Sequence, residues 1–372
     1  MIYLDNSATS YPKPGPVYDA VSHVLRAVGG NPGRSSHSMA VEAARVVFTA
    51  RESAARLINA DDSSCIAFTK NATEAINAGI KGLLRPGDHV VTTSFEHNSV
   101  VKALKRSAVA VTAVRPGKDG FLSPEQIRDA LLPSTKLVVI THASNVIGSL
   151  QPIAELGAVC REKGVVFMVD AAQTLGATAV DVEAMNICML AATGHKALFG
   201  PQGTGFLYVR QGIELSPLID GGTGEDGSAM DMPELLEAGT LNTPGIAGLG
   251  RGIEFILSEG IDRVRRKEEG FIREIISGLK AIKGVSIIGT EDAGKRASLV
   301  SFNIKGIDAI EAGIRYDEGF SIMLRCGTHC APMAHKEAGT YPNGSIRVSP
   351  GYFNTPAEIE TFIKATETIA GA

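Results

Sequence analysis

Between residues 64 and 209, short Val- and Ile-rich runs alternate with amphipathic stretches, and this alternation restricts the fold of the 372-residue chain more than any other feature. The apolar runs span 64–69, 89–92, 109–114, 136–141, 165–169, 187–191 and 205–209. Helical patterns fall between them at 73–83, 99–107, 123–132 and 153–163. Ser123 before Pro124 and Glu125 marks one helix start, by cap and proline preference. β-branched strands interleaved with helices predict an α/β fold with a mainly parallel central sheet and helices on both faces. Such sheets take their ligands at the carboxyl ends of the strands. The chemistry is therefore sought just after each apolar run.

Beyond about Gly245 the pattern changes to long helical stretches at 244–257 and 261–282, then short strands near 285–288 and 298–304 and further helices at 307–315 and 356–368. This predicts a large α/β domain over 15–255 and a smaller α+β C-terminal domain over 256–372, with residues 1–14 packing against the latter. The charge run Arg263-Val-Arg-Arg-Lys-Glu-Glu269 mixes signs at helical spacing and reads as a solvated helix face rather than a binding patch. Lys and Arg number 36 against 40 Asp and Glu, a formal charge of −4, so nucleic acid is a poor partner. The start, Met1-Ile-Tyr-Leu-Asp-Asn6, lacks the basic and apolar regions of a signal peptide, and no apolar run is long enough to span a membrane. Five cysteines do not suit a secreted disulfide framework. The expected location is a reducing cytoplasm.

Two polar residues at strand ends carry the most information. Asp170 closes the apolar run Val165-Val-Phe-Met-Val, and Lys196 follows the next one in Ala192-Thr-Gly-His-Lys196. Their spacing is one strand–crossover–strand unit, which brings both to one sheet edge. An acid and an amine there suit pyridoxal phosphate, the lysine as its Schiff-base partner and the carboxylate keeping the pyridine nitrogen protonated. Taken singly, either residue reads more simply as a solvated strand end. His97 reads as a capping or packed histidine on its own. The glycine-rich stretch Gly221-Gly-Thr-Gly224 reads more simply as a turn than as a phosphate loop. Cys65, Cys160 and Cys188 fall in apolar segments and read as inert thiols. Cys326, His329, Cys330 and His335 cluster, but without a Cys-x-x-Cys pair neither zinc nor a redox disulfide is favoured.

Asp170-Ala-Ala-Gln173 together with Thr193-Gly-His-Lys196 resembles the class V aminotransferases, a family of fold-type I pyridoxal-phosphate enzymes. More narrowly, the chain resembles the cysteine desulfurase branch, related to selenocysteine lyases. The likeness runs from Leu4-Asp-Asn-Ser-Ala-Thr9 to Arg347-Val-Ser349 and Tyr352-Phe-Asn-Thr355. It implies that Lys196 holds the cofactor covalently, Asp170 partners the pyridine nitrogen, Gln173 bonds the ring hydroxyl and His97 stacks on the ring. Asn71, Ala72 and Thr73 would form the phosphate nest at a helix start, with Thr193 and His195 adding donors. Thr240, in Glu237-Ala-Gly-Thr-Leu-Asn242, matches a position that reaches the phosphate from a neighbouring subunit, which implies a homodimer.

By the same resemblance, Arg347 pairs with the substrate carboxylate, Asn145 lies close to that carboxylate and the ring, and His37 is a candidate for the pocket wall. Arg325-Cys-Gly-Thr-His-Cys-Ala331 is similar to the loop bearing the desulfurase nucleophile, in its Suf-like form, and assigns that role to Cys330. Cys326 stands where relatives commonly carry a hydroxyl residue. The implied activity converts L-cysteine to L-alanine and leaves sulfur as a persulfide on Cys330, for a sulfur-acceptor protein and processes such as iron–sulfur cluster assembly. The alternatives are a selenocysteine lyase, in which Cys330 matters less, or another class V lyase or aminotransferase. Intact Lys196, Asp170 and Arg347 speak against a degenerate binding protein.

Overall fold

The computed structural model describes residues 1–33, 35–117, 119–221 and 231–371. Gly222, Thr223 and Gly224 of the glycine-rich stretch lie outside the described residues. The first half runs β1 (Ile2–Tyr3), α1 (Gly15–Ala27), α2 (Ser38–Ile58), β2 (Ile66–Thr69), α3 (Ala72–Leu83), β3 (His89–Thr93), α4 (Asn98–Lys105), β4 (Ala110–Val114), α5 (Pro124–Ala130), β5 (Thr135–Thr141), α6 (Ile153–Glu162), β6 (Val166–Asp170), β7 (Met189–Thr193) and β8 (Gly205–Val209). The second half runs α7 (Thr243–Glu259), α8 (Ile261–Ala281), β9 (Val285–Ile288), β10 (Val300–Ile304), α9 (Ala309–Phe320), β11 (Ile322–Met323), β12 (Arg325–Gly327), α10 (Pro332–Glu337), β13 (Ser345–Val348) and α11 (Pro356–Gly371).

Seven strands form the central sheet in the order β2-β8-β7-β6-β5-β3-β4, and only β8 runs against the others. The apolar runs are buried on both faces because successive side chains go to opposite sides. Val138 and Ile140 of β5 join one core with Phe167, Val169 and Leu190. Leu137 and Val139 of the same strand join the other with Met168, Met189 and Ala191. Helices α2, α6 and α7 cover the first face, and α3 and α4 the second. Ser123 caps α5 as its sequence suggests, and Gln126 completes a capping box. Helices α1 and α2 are not among the predicted elements, since they precede the strand–helix alternation that signals the rest.

A second core gathers α8, α9 and α11 around the four-stranded sheet β12-β13-β10-β9, and Leu4 belongs to it. The N-terminal segment is stitched in at two places. Strand β1 pairs in parallel with β11, and Ser349 N donates to Leu4 O at 2.7 Å while Asn6 N donates to Ser349 O at 3.1 Å. That stitching brings the first residues beside Arg347. Among the described residues, no helix is long and apolar enough to cross a membrane.

Candidate active site

The parallel strands β2, β3, β5, β6 and β7 end along one edge, and their exits line a cavity of about 230 Å³. Strands β12 and β13 and the loop after β12 complete its lining with Arg325, His329, Cys330 and Arg347. Every residue singled out above as a site residue lines it except His37 and Thr240. Larger depressions of about 460 and 880 Å³ flank α2 without such a gathering of amine, acid, guanidinium and thiol.

Asp170 ends β6 and is 4% exposed, with Ala172 N donating to its Oδ1 at 3.0 Å. Lys196 follows β7 by a turn. Gly194 and Gly205 make that turn possible: a Cβ on Gly205 would sit 2.6 Å from the Ala192 carbonyl oxygen and 2.9 Å from Asn71 Cα. Burial pulls the Lys196 pKa down to about 8, Asp170 works against that shift, and Arg347 and Arg325 add to it. Desolvation wins over the nearby acid. This lysine therefore gives up its proton at a lower pH than an exposed one.

His97 has two roles at once. As the N-cap of α4, its Nδ1 accepts from Ser99 N at 3.2 Å, and Ser99 Oγ lies 2.8 Å from the same nitrogen. Nδ1 is thus an acceptor, which assigns the ring proton to Nε2. Burial lowers its pKa, with Asp170 opposing, so the ring is a neutral plate on the cavity wall. The ring thus caps α4 and lines the cavity at the same time. Glu96, which in the sequence stands out only as a neighbour of His97, anchors this turn. Its Oε1 accepts from Thr93 Oγ1 at 2.7 Å and Thr141 N at 3.0 Å, and burial raises its pKa to about 8.

Asn71 caps α3 by accepting from Glu74 N at 3.0 Å, which leaves the N–H groups of Ala72 and Thr73 without intrahelical acceptors. Thr193 Oγ1 and His195 Nδ1 are buried with no partner among the described residues. Unmet donors at a helix start, a low-pKa lysine and a buried carboxylate fit a phosphorylated pyridine. Gln173 Nε2 reaches Ser7 O at 3.4 Å and lines the same wall.

Arg325 and Arg347 are opposite each other in the antiparallel pair β12–β13, so both side chains leave the same face and enter the cavity. Arg347 is 1% exposed. Its Nη1 donates to Asn145 O at 3.2 Å and its Nη2 to Asp5 Oδ1 at 3.0 Å, while Nε has no partner among the described residues. Cys330 is exposed, and Arg325 Nη2 lies 3.6 Å from its Sγ. The guanidinium thus offers the sulfur a hydrogen-bond donor. In the sequence, Arg325 is visible only as part of a motif.

Three residues that the sequence draws attention to stand apart. His37 is exposed and caps α2, its Nδ1 accepting from Ala40 N at 3.3 Å, so within this chain it is not a wall of the cavity. Thr240 is exposed beside Asn31 and lines a separate depression with Thr69 and Lys70 rather than the cavity that holds Lys196. Cys326 follows Arg325 by one residue and therefore points the other way, against Gly313 of α9. Burial raises its thiol to about 12. Cys326→Ser is expected to leave alanine formation from L-cysteine within about twofold, with a modest loss of melting temperature as the only change.

The chain matches the Aminotransferase class-V family over residues 2–362. It is 37% identical to a probable cysteine desulfurase of Methanothermobacter thermautotrophicus, covering 100% of this chain and 95% of that protein. It is 32% identical to the cysteine desulfurase IscS of Clostridium botulinum, covering 99% and 94%. Among solved structures it is similar to the apo cysteine desulfurase of Thermococcus onnurineus NA1, with a TM-score of 0.93, 34% identity and coverage of 100% and 94%. The S-sulfonic acid form of Escherichia coli CsdA has a TM-score of 0.88 at 26% identity, covering 98% and 94%.

Proposed function

The chain belongs to the Aminotransferase class-V family, and we propose that it works as a pyridoxal-phosphate-dependent cysteine desulfurase that converts L-cysteine to L-alanine and retains the sulfur on Cys330. The observation that carries this reading is an exposed thiol at the mouth of the cavity that holds Lys196 and Arg347, with a guanidinium beside it. The Clostridium botulinum relative is an IscS, so the Suf-like likeness rests on the Cys330 loop alone.

Lys196, Asp170, Gln173, His97 and the Asn71–Thr73 turn would hold the cofactor, which supplies an electron sink for carbanion chemistry when bound. Arg347 takes the substrate carboxylate, its unpaired Nε providing a donor. Lys196, once neutral, accepts the proton from the substrate α-carbon. The Cys330 thiolate then attacks the substrate sulfur. A sulfur–sulfur bond forms, the carbon–sulfur bond breaks with its electron pair going to carbon, and a proton completes L-alanine. L-Cysteine and one enzyme thiol thus give L-alanine and one enzyme persulfide, with no external oxidant. The test is anaerobic measurement of alanine from L-cysteine, with mass spectrometry locating one added sulfur on Cys330. Alanine formation without that mass shift overturns the reading.

The reactivity of Lys196 is checked separately in the cofactor-free protein. Its acylation, followed by mass spectrometry, should be half-maximal near pH 8, whereas exposed lysines wait for about pH 10.4.

The wider assembly follows from Thr240. Because it lies away from its own cavity, it serves the phosphate nest of a second copy in a homodimer, and Met39, Val41 and Phe48 leave apolar surface on α2 for that contact. The persulfide passes to an acceptor protein at the exposed Cys330. All five thiols are free, which suits a reducing cytoplasm.

A further inference from the structure

We propose that Asp5 sets the affinity of the carboxylate site: its carboxylate engages part of the Arg347 guanidinium as a built-in competitor and so limits how tightly the site holds any α-carboxylate. The inference rests on Arg347 being the carboxylate-binding residue.

Arg347 is almost fully buried, and of its three nitrogens one is given to Asp5, one to the Asn145 carbonyl, and one has no partner among the described residues. Asp5 has no other side-chain partner among the described residues. Arg347 lines the cavity and Asp5 is not among its lining residues, so the ion pair joins a cavity residue to one outside it. Asp5 cannot withdraw easily. The bridge between Asp5 and Ser349, the β1–β11 pairing and the Ser349–Leu4 hydrogen bond hold the backbone on both sides of it. An arriving carboxylate must share the charge of a buried guanidinium with a resident carboxylate that is itself only partly exposed, where screening is weaker than in open water.

That arrangement has a use in this reaction. L-Cysteine and L-alanine carry the same carboxylate, so any contact to it binds substrate and product alike. Such uniform binding lowers KM without speeding the chemistry, and it slows product release. A resident carboxylate weakens both equally. It also disfavours ligands that bring a second negative group to the same end of the cavity.

The sign of the effect separates this role from a merely structural ion pair. Asp5→Asn keeps an acceptor oxygen for Nη2 but removes the charge. In the holoenzyme, calorimetric titration should then show propionate and L-alanine binding roughly three- to tenfold more tightly, with KM for L-cysteine falling in step and kcat falling with it. Asp5→Ser should move in the same direction. If Asp5 only orients Arg347, both variants bind these carboxylates more weakly and KM rises, which overturns the proposal, as does an unchanged affinity. Arg347→Ala is the control: propionate binding that survives it undiminished also overturns the proposal. Tighter propionate binding by Asp5→Asn in an enzyme that makes no alanine from L-cysteine sustains the Asp5 role and removes the desulfurase reading instead.

Discussion

Cys330→Ala is expected to lower alanine and sulfide formation from L-cysteine by at least about 10³-fold while leaving the cofactor absorbance intact. On the proposed reading this thiol accepts the sulfur, and among the described residues no other cysteine lines the cavity. Cys326 is buried against α9 with its thiol raised to about 12, and Cys160 is fully buried and raised likewise. Alanine is the right replacement because of the backbone. His329 and Cys330 are both left-handed, at φ 48° and 60°, where a residue with a side chain costs on the order of 1–2 kcal/mol. Two contacts hold them there: Asn145 Nδ2 donates to His329 O at 2.5 Å, and Asn98 N donates to Cys330 O at 3.1 Å. Alanine bears the same backbone cost as cysteine, so the loop keeps its place and only the sulfur is lost. Glycine would relax the loop and confuse the two effects. Selenocysteine provides the contrast, since selenium leaves more readily without an enzyme thiol. Alanine production from L-cysteine at the wild-type rate by Cys330→Ala would show that this sulfur is not the nucleophile.

What can be read from the sequence are the features whose cause is local. The parallel sheet follows from Val and Ile runs, and the strand-end rule picks out Asp170 and Lys196, because each depends only on its own strand and the turn after it. Ser123 and Gln126 form their capping box for the same local reason. Resemblance, rather than local pattern, points to Arg347 and Cys330. Residues whose meaning is a partnership across the chain stay hidden. Asp5 pairs with Arg347 from 342 positions away, and nothing in Leu4-Asp-Asn signals an ion pair. Arg325 acquires its role only when the β12–β13 register puts it beside Arg347 and the loop folds Cys330 back toward it. Cys326 illustrates the reverse. The sequence leaves its role open, and strand alternation sends its thiol into the core around α9. His37 resembles a site residue in its motif, whereas its ring is used as a helix cap.

Lys196→Ala is expected to abolish alanine formation, by at least about 10⁴-fold, and to release the cofactor on gel filtration. The proposed reading rests two separate functions on one amine, covalent retention and proton transfer at the substrate α-carbon, so their losses should arrive together. They can be parted by what surrounds the residue. Burial is the larger force on Lys196 and drives its pKa down, and Asp170 supplies the principal restraint. Removing that restraint with Asp170→Asn should lower the Lys196 pKa below about 8, so acylation of the cofactor-free protein would become half-maximal at a lower pH. Catalysis would nevertheless fall, because the pyridine nitrogen loses its carboxylate. A more reactive lysine in a slower enzyme is a combination that no general damage to the fold produces. Ethylamine added to Lys196→Ala extends the test, since the truncated side chain leaves room beside Asp170 for a small amine. Rate recovery that rises with pH and with amine concentration assigns proton transfer to this position. Full activity in Lys196→Ala without added amine would place the reactive amine elsewhere.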